Sequence, residues 1–538
     1  MIDIAKIDGG KVRASATVGG ISFFPSIPYA APPTGEARWR PPGPVRPWSD
    51  IFNLPDVTHV APQPPPMLSS RYANLPLYYA DTTLPQREDC LYLNVWTAAE
   101  TDTERRAVLV WFHWGAFMMG SALARTGNGS ILFDGHALAE RGLVVVTVNY
   151  RLGRLGFLAH PWLSAESETG CSGNYGLMDQ VAALKWVRDN IAAFGGDPET
   201  VTIAGISAGS ASTCLHMVSP LSKGLFHRAL AVSGGFFSPV SDNSGVFDRI
   251  LDLKAAEARG VLFTDAAGVS TVEEMRALPV ETVMGLPVPP EPGPWRVGDL
   301  DFHVGNGVSD TAYPIVDGCV IPAPPRDIFD AGRHNDVPLL TGTPLNDASG
   351  LPCIDTLDAF HAYIDAEYGD LAPACAAVHP ARSDAEAQIA SGNLLADRVF
   401  GWQNWTWAKL ARQKGGSKVF YYDWKHAPFF DRDKHLEPYQ GAVHGVEIPF
   451  LFDNLSALDW DWHAEDHRLA TIMSDYCANF ARNGDPNAEG LPLWPRFEGD
   501  TPSALAITSD PSAAPPARKE RFEFLDRVWP SSAGEAIE

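Results

Sequence analysis

The 538-residue sequence predicts an α/β protein with a large, mostly parallel central sheet flanked by helices. Three observations point there. Short apolar runs rich in β-branched residues alternate with amphipathic stretches, the order expected of parallel strands joined by helices. The clearest runs are near-continuously apolar, as in strands covered on both faces. A glycine-bounded serine, Gly205-Ile206-Ser207-Ala208-Gly209, follows one of them and leads into a helical pattern.

Ala107 to His113 (AVLVWFH), Leu143 to Asn149 (LVVVTVN) and Val201 to Gly205 (VTIAG) are the strands predicted most plainly. Between the second and third, Leu177, Val181, Leu184, Val187, Ile191 and Phe194 recur at helical spacing, with Asp179, Lys185, Arg188 and Asp189 off that stripe. This predicts one amphipathic crossover helix from Tyr175 to Phe194. Gly195 and Gly196 stop it, and Asp197-Pro198 prevents its resumption. Stretches 50 to 88, 235 to 335 and 350 to 415 are rich in Pro, Gly and helical fragments and lack clear strands. They read as excursions above the sheet that wall a site. No repeat and no flexible linker divides the chain, so residues 1–538 are read as one domain.

Composition narrows the function. Hydrophobic residues make up 45% and charged residues 20%, enough to bury a large core. The net charge of -24 repels phosphate backbones, which argues against a nucleic-acid partner. No window reaches the roughly 18 apolar residues of a membrane span, and the opening MIDIAKIDGG lacks the apolar region of an export signal. A soluble protein is expected, cytoplasmic as the sequence is written, or else the mature form of a secreted or periplasmic one. The seven cysteines are scattered without C-x-x-C spacing, which speaks against a zinc site and a dense disulfide framework.

Ser207 is the candidate nucleophile. A strand, a turn and a helix around G-x-S-x-G make a tight bend that flanking side chains would obstruct, and the bend forces the serine out at its tip. The N-terminal N–H groups of the following helix face the same place and favour a developing negative charge.

Further blocks share this order along the chain: IPYAAPPTGEARW at 27–39, EDCLYLNVW at 88–96, VNYRLGRLGFL at 148–158, the long block at 174–212, GLFHRALAVSG at 224–234 and FARNGDPN at 480–487. With them the sequence resembles the type-B carboxylesterase and cholinesterase family, matching nearly end to end. The resemblance implies a single α/β-hydrolase domain with helical insertions, no cofactor and no metal, acting on a small-molecule ester. It implies a catalytic histidine at His444, in His444-Gly445-Val446-Glu447, and a catalytic acid at Asp347, where the family usually has glutamate. Asp336 and Asp355 are weaker candidates for the acid. The order Ser, acid, His is that of α/β-hydrolases. The oxyanion donors it implies are the N–H groups of Gly115, Ala116 and Ala208.

Departures from the family pattern mark the surroundings. Trp114 replaces a glycine of the oxyanion loop, so that its indole either lines the substrate pocket or turns into the core. Ile206 stands where cholinesterases carry a glutamate, and the stretch 60–88 has no tryptophan, which disfavours choline esters. Gapless alignment puts Val240 in the acyl pocket. No cysteine precedes Cys90, so the family's first disulfide cannot form and a bacterial-type, disulfide-free enzyme is expected. Two buried ion pairs of the family persist as Arg38 with Glu88 and Arg151 with Asp179. Serine carboxylesterase activity is the reading. The alternatives are a carbamate or activated-amide hydrolase using the same residues, and a non-catalytic binding module of the same fold.

Overall fold

A run that is apolar on both faces needs cover on both, and the strands of this chain obtain it from two separate hydrophobic clusters. The computed structural model describes residues 1–54, 59–64, 84–240, 250–288, 313–347, 353–428 and 441–530. Near the N-terminus β1 (Ile4–Ile7), β2 (Gly10–Arg13) and β5 (Ile51–Asn53) form a small sheet. The central sheet has eleven strands: β3 (Ala16–Val18), β4 (Ile21–Pro28), β6 (Tyr92–Thr97), β7 (Arg106–Phe112), β8 (Val144–Val148), β9 (Gly196–Ile206), β10 (Arg228–Val232), β11 (Leu339–Pro344), β12 (Val419–Trp424), β13 (Ala504–Ile507) and β14 (Ser512–Ala514). Their order is β14-β13-β12-β11-β10-β9-β7-β8-β6-β4-β3. Pairing is parallel from β8 through β13 and antiparallel at both ends.

Alternation along β7 shows how the sheet is covered. Val108, Val110 and Phe112 enter one cluster and Leu109 and Trp111 the other. β8 divides in the same way, with Val144, Val146 and Val148 against Val145, and β9 sends Val201 and Ile203 to one side and Ala204 and Ile206 to the other. The three predicted runs are thus β7, β8 and β9. β9 begins earlier than its apolar core suggests, because Gly196 pairs with Arg106 across a register shift. Pro198 therefore lies within the start of a strand, where the sequence marked only a helix stop.

The crossover helix runs over Tyr175–Asn190 and tightens into a 3-10 turn at Ile191–Phe194, closed by Gly195 at φ 75°. One detail differs from the amphipathic reading. Asp179, expected off the apolar stripe, is fully buried because it answers Arg151. Arg151 donates to its two carboxylate oxygens at 2.8 and 2.7 Å, and the Arg151 N–H adds a third bond. Arg38 grips Glu88 in the same bidentate manner, at 2.7 and 2.6 Å, and donates to the carbonyls of Arg276 and Leu278.

The disulfide-free expectation is corrected. Cys171 and Cys319 are joined, 148 residues apart in sequence, while Cys90, Cys214, Cys353, Cys375 and Cys477 are free and buried. The bond ties the loop ahead of the crossover helix to the segment that follows Tyr313. Among the described residues no helix is long and apolar enough to cross a membrane, and no cluster of His, Cys, Asp or Glu could hold a metal ion.

Topology fixes where a site can lie. From β7 the chain passes to β8 on one side and then to β9 on the other, so the connections leaving β7 and β9 diverge at their carboxyl ends. Such a switch point opens a crevice in an α/β sheet. The two loops there begin at His113 and Ser207.

Candidate active site

Ser207 leaves β9 with φ 57° and ψ -118°, and the helix Ala208–Val218 starts at the next residue. A non-glycine residue held at positive φ is strained, and the surroundings enforce the strain. The Ser207 N–H donates to the Val232 carbonyl at 2.9 Å, and its carbonyl accepts from Ala211 at 2.9 Å. The flanking glycines are required by contact. A Cβ on Gly205 would lie 2.4 Å from the Gly209 carbonyl carbon, and one on Gly209 would lie 2.0 Å from the Phe112 carbonyl oxygen. Helix, β7 and elbow are packed backbone to backbone, and only the serine side chain has room to project.

Beside it, the loop after β7 turns through three successive residues at positive φ: Gly115 (108°), Ala116 (52°) and Phe117 (59°). The Gly115 carbonyl accepts from the N–H groups of Met118 and Met119, each at 2.9 Å, and the Phe117 carbonyl accepts from Gly153 at 2.8 Å. His113 braces the base of the loop. Burial pushes its imidazole down to about 4, so the ring is neutral near pH 7. It stacks on Tyr150 at 4.5 Å, and Nδ1 lies 2.7 Å from the Trp114 carbonyl, to which a protonated Nδ1 donates. The N–H groups of Gly115, Ala116 and Ala208 make no backbone hydrogen bond among the described residues.

Asp347 and His444 come from loops beyond the ends of β11 and β12, and a short bridge aligns them. Asn346 pairs with Val443, its N–H donating to the Ala442 carbonyl at 3.0 Å. The next residue on each side then meets its counterpart: His444 Nδ1 lies 2.6 Å from Asp347 Oδ1, with Asp347 fully buried and His444 4% exposed. Asp336 instead accepts from the Gly416 N–H at 2.7 Å, and Asp355 accepts from Gln388 on an exposed surface. Ala348, which follows Asp347, lies outside the described residues.

Trp114, for which pocket and core were both open, Ile206 beside the serine and Val240 of the aligned acyl pocket are not among the residues that line the cavity at Ser207. Trp114 is 4% exposed, its indole in the hydrophobic cluster with Leu123 and Phe133, edge-on to Phe133 at 6.0 Å. Of its two possible orientations the ring takes the core. Ile206 lies in that same cluster, since alternation along β9 turns it under the sheet. Val240 is 38% exposed and pairs with Ile250; it is Ile250 that reaches the cavity.

That cavity opens on Ser207 and is walled by Phe117, Ala208, Ala211, the Gly234 to Phe236 turn, Ser238, Ile250, Tyr313, Val399 and Phe400. Ile250 and Tyr313 come from the 235–335 excursion, Val399 and Phe400 from the 350–415 excursion. The turn after β10 is pinned from outside: Gly234 donates to Asn404 Oδ1 at 2.8 Å and Phe237 to Gln403 Oε1 at 2.7 Å. Sequence reasoning did not single out Phe236, Tyr313 or Phe400. The one local signal was for Phe236, which follows the Ser233-Gly234 pair after an apolar strand.

Glu447 is a second carboxyl group near Asp347. It is fully enclosed, accepting from Ser233 and Tyr422 hydroxyls at 3.3 Å each. Burial, and next the Asp347 carboxylate, push its carboxyl well above the ordinary range.

The sheet order, the elbow at the end of β9 and the loops that carry Asp347 and His444 beyond β11 and β12 define an α/β-hydrolase. The model of the carboxylesterase family matches residues 1–525, and the chain belongs to that family, whose members hydrolyse carboxylic esters. It is 34% identical over 492 residues to the fumonisin B1 esterase of Sphingopyxis macrogoltabida, covering 89% of this chain and 82% of that one. It is 31% identical over 516 residues to the para-nitrobenzyl esterase of Bacillus subtilis (strain 168), covering 93% and 94%. A solved para-nitrobenzyl esterase structure superposes with a TM-score of 0.78 at 28% identity, over 98% of this chain and 99% of the other.

Proposed function

We propose that this carboxylic ester hydrolase works through an acyl-enzyme formed on Ser207, with His444 as base and Asp347 as its partner. The Asp347 carboxylate accepts the His444 Nδ1 proton and so directs the basic lone pair to Nε2. Nε2 takes the Ser207 hydroxyl proton as Oγ attacks the ester carbonyl carbon. The N–H groups of Gly115, Ala116 and Ala208 hold the resulting oxyanion. The intermediate collapses, His444 passes its proton to the departing alcohol, and water repeats the sequence on the acyl-enzyme to release the acid and restore Ser207.

The observation that carries this reading is the 2.6 Å pairing of His444 Nδ1 with a fully buried Asp347. A carboxylate sealed from water against an imidazole is costly unless it orients or stabilises that ring. The cavity beside Ser207 is lined mainly by aromatic and aliphatic side chains, which suits an uncharged acyl group. Para-nitrobenzyl and p-nitrophenyl esters are reasonable probes, given the relatives' activity. A panel of p-nitrophenyl esters from acetate to octanoate, assayed with wild type and Ser207→Ala, tests the proposal. Wild type is expected to turn over the short and medium chains, and the alanine variant to lose at least about 10⁴-fold in kcat. Activity retained by Ser207→Ala overturns it.

A further inference from the structure

We propose that Phe400 is a positioning residue for His444, presented by a single π turn built for the purpose; this rests on His444 being the base. The Phe400 ring stacks on the imidazole with centroids 4.3 Å apart and planes 24° from parallel. The same ring forms part of the cavity wall at Ser207. His444 is therefore fixed through two independent contacts: Asp347 holds Nδ1 in the ring plane, and Phe400 covers one face.

The backbone that carries Phe400 is unusual. Between the helices Asp384–Ala396 and Trp402–Lys414, residues Asp397–Gly401 form one π turn, a wider loop of chain that displaces side chains from the regular helical stripe. Both of its ends are tied down. At the first, buried Asp397 bonds Arg521 and faces Arg518 at 3.7 Å and His379 at 3.8 Å. At the second, a Cβ on Gly401 would lie 2.7 Å from the Phe522 ring, so glycine is required for this closeness. The Arg398 carbonyl within the turn accepts from Gln403 at 3.0 Å, and the Arg398 guanidinium is held by the Tyr363 and Tyr368 hydroxyls and Glu367. A turn so heavily anchored keeps Phe400 against His444.

Stacking does two things for a base. It prevents the ring from rotating out of line with the serine, and its π face favours the imidazolium that exists once the serine proton has been taken. Among the described residues, the titratable or charged groups around the pair include Asp347 from the loop after β11, Glu447, Tyr421 and Tyr422 behind it, Arg518, whose charge is felt at Asp347, and Asp397 and Arg398 of the π turn itself. Substituting Phe400 replaces none of these groups.

The test compares Phe400→Leu, which keeps apolar bulk but has no ring face, with Phe400→Tyr, which keeps the ring. Both are assayed on p-nitrophenyl acetate and butyrate, with thermal unfolding recorded to confirm folding. Phe400→Leu is expected to lower kcat about tenfold on both esters with KM within about twofold, and to move the acid limb of the kcat/KM profile down by about half to one pH unit. Phe400→Tyr is expected to restore both. If Phe400→Leu changes only KM or the acetate-to-butyrate ratio, with kcat and the acid limb at wild-type values, Phe400 is a wall residue and the inference fails. The underlying reading fails differently, by activity surviving in His444→Gln.

Discussion

Replacing Asp347 by asparagine removes one charge and one acceptor from a site with no access to water. In wild type the carboxylate is fully buried and meets Nδ1 at 2.6 Å, in the range of charge-assisted hydrogen bonds. Asparagine can turn its NH2 toward Nδ1, which forces the proton onto Nε2 and leaves no base facing Ser207. If it presents its oxygen instead, the tautomer survives but the charge that stabilises the imidazolium is gone. The expected loss is about 10⁴-fold in kcat, or about 5.5 kcal/mol at 1.36 kcal/mol per factor of ten, with KM little changed. Asp347→Glu restores the charge but lengthens the side chain by about 1.5 Å, one C–C bond. The loop cannot retreat freely, since the Leu345 N–H is bonded to the Trp424 carbonyl at 2.9 Å and the Asn346 N–H to Ala442 at 3.0 Å. A displacement of this size costs about 10² in kcat. Both variants are to be measured by steady-state turnover of p-nitrophenyl butyrate, with Asp336→Asn and Asp355→Asn as controls. Asp347→Asn within tenfold of wild type, or a larger loss in either control, would refute the assignment.

Other expectations concern the frame around the site. Trp114→Ala should lower stability by about 3–5 kcal/mol, as for a large ring removed from a core, and leave ester selectivity unchanged; denaturant unfolding and the ester panel measure the two. Cys171→Ser opens a loop of 148 residues and should cost about 5 kcal/mol by loop-closure entropy, read from denaturant midpoints with and without reductant. Glu447→Gln should become more stable relative to wild type as pH rises. The folded carboxyl is raised and the unfolded one is ordinary, so between the two values the folded state binds the extra proton and wild type loses stability with increasing pH. The difference should grow by about 1.4 kcal/mol per pH unit above the ordinary glutamate range, and a difference independent of pH from 5 to 8 would show that Glu447 is ionised.

What the sequence made legible was local or shared with the family. The elbow at Ser207 could be read because strand, turn and helix are contiguous, and the two glycines answer to contacts within the same few residues and the adjoining end of β7. Asp347 and His444 are 97 residues apart, and their pairing was reached through resemblance, the aspartate holding its place without gaps despite Pro344 and the following alanine. The Cys171–Cys319 bond left no trace in spacing, because its partners meet only after the sheet and excursions have folded. Trp114 and Ile206 were correctly placed along the backbone, yet the faces their side chains take are set by the alternation of the sheet and by the apolar cluster that receives them. Val240 shows the limit of gapless transfer: the neighbour it pairs with, Ile250, reaches the cavity instead. Phe400 belongs to a π turn whose hydrogen bonding is stabilised by partners far away in sequence, Arg521 and Phe522 among them, so its position beside His444 could not be read from periodicity.

Rapid mixing with excess p-nitrophenyl acetate, followed by acid quench and peptide mass analysis, probes the acyl-enzyme on Ser207 without an intermediary. A burst approaching one p-nitrophenol per chain is expected, with an acetyl increment of about 42 Da, the mass of C2H2O gained in acylation, on the peptide containing Ser207, absent in Ser207→Ala. Steady turnover with no burst and no adduct, or an adduct that persists in Ser207→Ala, would contradict it.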